Sequence, residues 1–246
     1  MNALIEVKNL TKKFGPFKAV HDISFNLDRG EVLGFLGPNG AGKTTTMRMI
    51  TGFLPPSSGT VKICNYDVSN FPIKTKEKIG YVPEGAPLYG EMTVLSFLKF
   101  ISGIRKIKKD KITDLINNAV NKLGLENVLY QQIETLSKGY KRRVGLAQAI
   151  LHDPDILILD EPTDGLDPNQ KHEVRKLIKE MAVSKAIIIS THILEEVDAV
   201  CSRAMIIANG ELIIDKTPKE LIAMGSDNST LDDVFRSLTI GNIKEK

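Results

Sequence analysis

The sequence has few cysteines and no long apolar run. Its two cysteines, Cys64 and Cys201, lie far apart and form no metal-type cluster, which is typical of ordinary thiols in a reducing compartment. No apolar run approaches the roughly 18 to 20 residues that span a bilayer. The opening stretch, MNALIEVKNLTKKF, alternates apolar and charged residues and lacks the hydrophobic stretch of a secretory signal. We therefore expect a cytoplasmic protein that can still dock on a membrane protein.

A strong charge of either sign is also lacking. The net charge of +3 is too small to argue for a nucleic-acid partner, and no internal repeat or low-complexity segment is found. The length of 246 residues allows one large domain or two small ones, with ample material for a core. An apolar content of 42% and a charged content of 26% indicate a soluble globular protein.

A glycine-rich turn follows an apolar run at 32–36 and matches the pattern G-x-x-x-x-G-K-[ST] of a phosphate loop. Glycines let main-chain N–H groups approach the phosphates, and a helix beginning near Lys43 would direct its positive end at the anion. Lys43 would reach the β- and γ-phosphates, and the Thr44 hydroxyl would hold Mg²⁺. The full match in a strand–loop–helix context predicts a nucleoside triphosphate site formed by Gly37, Pro38, Asn39, Gly40, Ala41, Gly42, Lys43, Thr44 and Thr45.

A second apolar stretch, ILILDEPT, ends in two carboxylates. A buried strand there would deliver Asp160 beside the phosphate loop, where it could hold Mg²⁺. Glu161 comes one residue later and could orient or deprotonate an attacking water. An acidic pair at the start of a helix is the alternative, but the apolar strand before it favours the Mg²⁺ and water-activating roles.

Polar residues at three further points could complete the site. Ser137 is placed to cap a helix whose first turn, in LSKGYKRR, is basic. A basic first turn opposes the helix dipole, so it would suit a bound phosphate. Asp167 lies in a GLD stretch, and His192 follows an apolar run, where a lone histidine by itself is more often packed than functional.

Strands alternate with helical patterns, which predicts an α/β domain with a strand-rich, antiparallel N-terminal part and a largely helical insertion at about 87–151. Ile112, Leu115, Ile116, Val120 and Leu123 fall on one face of a helix that Gly124 would end. Asn209-Gly210 indicates a hairpin. Predicted strands are 4–7, 19–26, 32–36, 60–64, 79–82, 156–159, 186–190, 204–208 and 211–214; other predicted helices are 45–52, one from about 169, 193–200 and 231–238.

Taken in this order, the phosphate loop, LSKGYKRR, ILILDEPT, GLDP and STH resemble the nucleotide-binding subunit of an ABC transporter. The resemblance covers about residues 3–225 and leaves 226–246 as a C-terminal extension. It implies a P-loop NTPase (RecA-like) core with an N-terminal antiparallel β-subdomain and an inserted α-helical subdomain. It also implies that ATP and Mg²⁺ are bound and that ATP is hydrolysed.

The resemblance implies that two such domains face each other head to tail and hold two ATP molecules between them. Glu161 resembles the catalytic base, His192 the switch histidine that contacts the γ-phosphate, and Asp167 part of the loop that communicates across the dimer. Phe14 aligns with the aromatic residue that stacks on adenine. The signature segment of one copy, which caps the γ-phosphate held by the other copy's Lys43, is carried here by Ser137, Lys138, Gly139 and Tyr140.

Two departures from the family pattern stand out. Glu84 occupies the loop position where the family usually has Gln, and a carboxylate there could still ligate Mg²⁺. It could not donate a hydrogen bond when ionised, so its coupling contacts would differ. Lys138 and Tyr140 replace the Gly and Gln of the commonest signature, while Ser137 and Gly139 retain the residues that face the phosphate. We expect activity to survive both departures.

The strings LSKGY, DPNQ and LDDVFRSLT further resemble ATPases of the ABC-2 export class, those of gliding-motility systems among them. Such subunits work with a separate transmembrane permease, as peripheral proteins on the inner face of the plasma membrane. The resemblance leaves open whether the second ATPase is another copy of this chain or a paralogue, and it implies no nucleic-acid partner.

Other classes remain as alternatives. A DNA-repair ATPase of this type would need long coiled-coil heptads between its two nucleotide motifs, and a ribosome-acting one would carry two phosphate loops; neither feature is present. A non-catalytic nucleotide-binding regulator would not need Glu161 and His192. A GTPase would need a base-reading Asn-Lys-x-Asp stretch, which the sequence lacks.

Overall fold

The computed structural model of the chain describes residues 3–85, 87–225 and 229–240. The strands are β1 (Ile5–Phe14), β2 (Phe17–Leu27), β3 (Val32–Leu36), β4 (Ser58–Ile63), β5 (Tyr66–Asp67), β6 (Ile79–Val82), β7 (Ile156–Asp160), β8 (Ala186–Thr191), β9 (Arg203–Ala208) and β10 (Glu211–Lys216). The α-helices are α1 (Lys43–Ile50), α2 (Pro72–Glu77), α3 (Val94–Ile104), α4 (Lys109–Leu123), α5 (Lys138–Ile150), α6 (Pro168–Ala182), α7 (Leu194–Val200), α8 (Pro218–Ile222) and α9 (Leu231–Ile240).

A six-stranded sheet has the order β10-β9-β3-β8-β7-β6, and all neighbouring strands except the β9–β10 pair are parallel. Every residue of β3, β7 and β8 is buried, as expected for parallel strands that are covered on both faces. The carboxyl ends of these strands meet at one edge of the sheet, which is where α/β proteins bind ligands. The phosphate loop, Asp160 and Thr191 therefore lie at the same edge.

The second sheet is antiparallel, with the order β2-β1-β4-β5. The predicted strand at 4–7 is too short, because β1 continues to Phe14 through register shifts after Val7 and Leu10. These irregularities interrupt the alternation of apolar and polar residues that marks a strand. The successive strands β2 and β3 also lie in different sheets, and a turn with Gly30 at φ 91° separates them.

Helices α3, α4 and α5 pack together on one face of the parallel sheet, against a core that includes Leu159 and Ile189. The predicted apolar face of α4 is confirmed: its buried side chains include Ile116, Val120 and Leu123, and Gly124 ends the helix at φ 59°. These helices lie within the stretch predicted as a helical insertion. The domain limits at 87–151 and 3–225 stay predictions.

The C-terminal part of the described chain is helical. Helix α8 begins with a reciprocal cap between Thr217 and Glu220, which the sequence analysis missed. Helix α9 matches the predicted helix at 231–238, and its Leu231 packs with Leu36 and Leu221. Residues 226–228 and 241–246 of the predicted extension lie outside the described residues.

The predicted fold class is confirmed: a P-loop NTPase fold, with a parallel sheet around the phosphate loop, an antiparallel sheet and a group of helices. Among the described residues, none of the helices combines the length and the apolar character that crossing a bilayer requires.

Candidate nucleotide-binding site

A cleft of about 560 Å³ lies at the carboxyl edge of the parallel sheet. It brings together predicted site residues from distant parts of the chain, namely Phe14, residues 39–45, Glu84, Asp160, Glu161 and His192. Phe17, Ala19, Asp164 and Ser190 also line it and were missed by sequence reasoning. Their contribution depends on how β2, β7 and β8 meet, and a local pattern does not reveal that.

The phosphate loop is held closely between two strands, which explains two of its glycines. A Cβ at Gly37 would lie 2.3 Å from Ile207 O on β9, and a Cβ at Gly42 would lie 2.5 Å from Ala19 O on β2. Gly42 also has φ 103°, in the left-handed region that favours glycine. The loop can take this path only because both positions lack a side chain.

Lys43 lies inside the loop and is only 7% exposed. Its Nζ donates to Gly37 O at 2.7 Å and to Pro38 O at 3.2 Å. Burial lowers the pKa of Lys43, and the nearby carboxylates of Glu161, Asp160 and Glu84 oppose that shift. A desolvated ammonium group bound only to neutral carbonyls is poised for an anionic ligand.

Asp160 is 1% exposed, and its Oδ2 is buried without a hydrogen-bond partner among the described residues. Ser190 Oγ is also buried without a hydrogen-bond partner among the described residues. Thr44 and Glu84 line the same cleft, so a hydroxyl and two carboxylates are available on one wall. Mg²⁺ prefers oxygen ligands and completes its shell with water and phosphate oxygens, so this set of donors fits it.

Glu161 and His192 face each other across the ends of β7 and β8. His192 Nδ1 lies 3.0 Å from Glu161 Oε1, and the Glu161 N–H donates to Ser190 O at 2.9 Å. Glu161 has φ 51°, a left-handed conformation that costs a residue with a side chain on the order of 1–3 kcal/mol. Glu161 also lines the cleft, and backbone strain of this kind is found at functional sites.

Two aromatic residues form one wall of the cleft. Phe14 and Phe17 flank the Gly15-Pro16 turn between β1 and β2 and are about half exposed, at 50% and 53%. Lys12 Nζ lies 5.2 Å from the Phe14 ring centroid. Exposed rings beside a phosphate-type loop can stack on a nucleobase. The symmetric string Phe-Gly-Pro-Phe was the signal that could have identified Phe17.

The signature segment lies outside the cleft of its own chain. Ser137 and Lys138 are exposed, and Ser137 caps α5 by accepting a hydrogen bond from Tyr140 N at 3.4 Å. A Cβ at Gly139 would lie 2.3 Å from the Gln170 side chain. Asp167 caps α6 through Gln170 N at 2.9 Å.

The three basic side chains that follow this segment donate to backbone carbonyl oxygens of the same chain. That the basic first turn of α5 suits a bound phosphate stays a prediction. Lys141 Nζ donates to Glu134 O at 2.8 Å, and Arg143 Nη1 donates to Leu123 O at 3.3 Å. Arg142 is buried against other backbone carbonyls. Each of the three cations therefore donates to backbone carbonyl oxygens of its own chain, which supplies donors to polar groups that would otherwise lack them.

Comparison with known proteins gives one family. A family model described as "ABC transporter" matches residues 20–164. The chain is 39% identical over 219 residues to the uncharacterized ABC transporter ATP-binding protein YhcH of Bacillus subtilis, covering 87% of this chain and 70% of that protein. It is 37% identical over 239 residues to the probable multidrug ABC transporter ATP-binding protein YbhF of Escherichia coli, covering 96% of this chain but only 41% of YbhF.

A solved structure described as the ATP-binding subunit of an ABC transporter superposes with a TM-score of 0.88 at 30% identity. The match covers 96% of this chain and 99% of that one.

Proposed function

The chain belongs to the ABC transporter family of ATP-binding proteins, and from this premise we propose that it is the ATP-hydrolysing subunit that drives a separate transmembrane permease of the ABC-2 export type. That it is an ATP-binding ATPase of this family follows from the family match and the identities. One observation carries the proposed chemistry: Lys43, Asp160, Glu161 and His192 meet in a single cleft.

The roles follow from the geometry. Lys43 binds the β- and γ-phosphates in place of its two carbonyl contacts, together with backbone N–H groups of residues 39–45. Thr44, Asp160 and Glu84 hold Mg²⁺, which when bound neutralises charge on the phosphate oxygens. Glu161 accepts the proton of the attacking water, and His192 orients that carboxylate and contacts the γ-phosphate.

The position of the signature segment supports a head-to-tail dimer. Residues 137–140 do not line the cleft of their own chain, and Ser137, at the N-terminus of α5, is exposed. A γ-phosphate that one copy holds at Lys43 can therefore be capped by the signature segment of a second copy. We propose that this copy is a second molecule of the same chain. Asp167, at the start of α6 behind Gly139, lies where it can contribute to the interface between the two copies.

The aromatic wall supports a prediction about adenine. Because base–aromatic stacking is worth about 1–3 kcal/mol, Phe14→Ala should weaken ATP binding roughly 5- to 150-fold. Affinity for inorganic triphosphate, which has no base to stack, should stay within about twofold of the wild type. Isothermal titration with both ligands measures the two effects, and an equal loss for both would remove Phe14 from the adenine site.

An apolar groove of about 400 Å³ supports the permease as partner. It lies between the end of α1, α2 and α3, and the exposed side chains of Phe53, Ile73 and Ile104 line it. Lys76 and Arg105 add positive charge, with Lys76 Nζ 5.5 Å from the Phe53 ring. An exposed apolar groove with basic side chains fits an amphipathic segment that carries acidic residues.

The groove gives the experiment that tests the permease. Ile104→Glu places a negative charge there, and because Ile104 is exposed the fold should lose little stability. The tagged variant, extracted in mild detergent, should lose the multispanning membrane protein that co-purifies with the wild type, and its ATPase rate alone should stay within about twofold. Val183→Glu is the control, since Val183 is also exposed, at 82% against 59% for Ile104, and lies outside the groove. Equal recovery with Ile104→Glu would reject this docking site.

The ABC-2 assignment and the export direction rest on the strings LSKGY, DPNQ and LDDVFRSLT. The relative YbhF, named as a probable multidrug transporter protein, supports them. We place the chain on the cytoplasmic face of the membrane, where ATP is available.

A further inference from the structure

Arg142, in the second turn of α5, is buried to an extent unusual for arginine. It is 8% exposed, although arginine is almost never fully buried unless it is paired. No carboxylate of the described residues forms an ion pair with it. Its guanidinium group instead donates to three backbone carbonyl oxygens: Nη2 to Asp160 O at 2.8 Å, Nε to Pro162 O at 3.1 Å and Nη1 to Pro83 O at 3.5 Å.

These three carbonyls belong to the two loops that carry the carboxylates of the cleft. Asp160 O and Pro162 O lie on either side of Glu161, the residue in the left-handed conformation, and Pro83 O immediately precedes Glu84. The planar fork of a guanidinium group fixes several acceptors in one geometry, which a flexible ammonium group does not. Arg142 therefore opposes relaxation of the backbone at Glu161.

The charge of Arg142 acts on the same region. Burial lowers its pKa, and the carboxylates of Asp164, Asp160, Glu161 and Glu84 oppose that shift. The guanidinium group remains a cation under all ordinary conditions. It thus offsets part of the mutual repulsion among the carboxylates that the cleft assembles.

We propose that Arg142 is a positioning residue for ATP hydrolysis, which fixes the backbone on both sides of Glu161 and beside Glu84 and ties both to helix α5. Helix α5 begins at Lys138, directly after Ser137, within the signature segment that caps the nucleotide of the second copy. One guanidinium group thus connects the segment that senses the partner's nucleotide to the chain's own hydrolytic carboxylate. This inference rests on the proposed role of Glu161.

Steady-state ATPase kinetics of Arg142→Gln test it, with ATP affinity measured separately. Since a misplacement of about 1 Å in a catalytic group can cost about 100-fold, kcat should fall by roughly 10- to 100-fold. Arg142 does not line the nucleotide cleft, so KM and the ATP dissociation constant should stay within about threefold of the wild type.

Two further variants separate positioning from general damage. Arg142→Lys keeps the charge and part of the donor capacity, so it should recover part of the lost kcat and stay about three- to tenfold below the wild type. Lys122→Gln removes an equal charge from an exposed position in the last turn of α4 and should leave kcat within about twofold. If Arg142→Gln does not fold, Arg142→Lys alone tests the proposal. A folded Arg142→Lys protein with full kcat would then overturn it.

The remaining outcomes are equally decisive. An Arg142→Gln protein with wild-type kcat would show that the contacts serve only the fold, and a parallel loss of kcat and ATP affinity would show a collapsed cleft; either result overturns the proposal. Normal turnover by Glu161→Gln would instead remove the proposed base. Loss of turnover by Glu161→Gln together with full turnover by Arg142→Gln would reject the positioning role alone.

Discussion

Lys43→Ala should abolish tight ATP binding without unfolding the protein. Truncating one partner of a desolvated, hydrogen-bonded charge pair costs about 2–5 kcal/mol, so the affinity should fall on the order of 30- to 5,000-fold. In the wild type, ATP at about 100 times its dissociation constant should stabilise the fold by about 2.7 kcal/mol. For a chain of this size that raises the melting temperature by roughly 5–11 °C. At the same ATP concentration, the melting temperature of the variant should rise by at most about 3 °C in a thermal-shift experiment.

The ligand-free variant should melt within about 3 °C of the wild type, for a reason visible in the site. Burial lowers the pKa of Lys43 in spite of three nearby carboxylates, which means that the fold does not favour this charge. Lys62→Ala removes an equal charge from an exposed position on β4 and should keep the full ATP-induced rise. A Lys43→Ala protein that retains this rise would show that Lys43 does not hold the phosphates.

The parts of the fold that the sequence predicts correctly are those set by neighbouring residues. The buried strands at 32–36 and 186–190 are near-continuous apolar runs, and α4 has an apolar face with a glycine at its end. In each case hydrophobic spacing and a terminal signal agree, so the local pattern is sufficient. Strand β1 was misjudged because its bulges break that spacing without ending the hydrogen-bonded pairing.

What the sequence does not reveal are contacts between elements that lie far apart in the chain. Arg142 lies in a basic cluster of the sequence. Its three carbonyl partners are 18 to 59 residues away, so the local pattern does not show what its side chain binds. The pairing of His192 with Glu161 likewise depends on the adjacency of β7 and β8. Family resemblance supplied candidate roles for Glu161 and His192, but none for Arg142. Those roles stay predictions, which the Glu161→Gln variant tests.

Glu161→Gln should bind ATP and barely hydrolyse it. The substitution keeps the shape of the side chain and an oxygen that can accept from His192 Nδ1, but an amide cannot take up the proton of the attacking water. Loss of a general base costs about 10²- to 10⁴-fold in rate, so phosphate release should fall by that factor. Glu180→Gln, an equal change of charge on the exposed face of α6, should leave the rate unchanged. Normal hydrolysis by Glu161→Gln would mean that another group is the base.

The same variant should form a stable dimer with ATP, because the γ-phosphate contacted from both sides is no longer removed. A ligand stabilises one state only through a difference in affinity, and here the closed dimer alone would contact the triphosphate from both copies. Size-exclusion chromatography with light scattering should give a dimer with ATP and a monomer with ADP. Adding Ser137→Arg to Glu161→Gln should leave ATP binding intact and abolish the dimer, whereas Asn127→Arg, exposed beside α4, should not. A doubly substituted protein that still dimerises would exclude residue 137 from the interface and reject the head-to-tail arrangement.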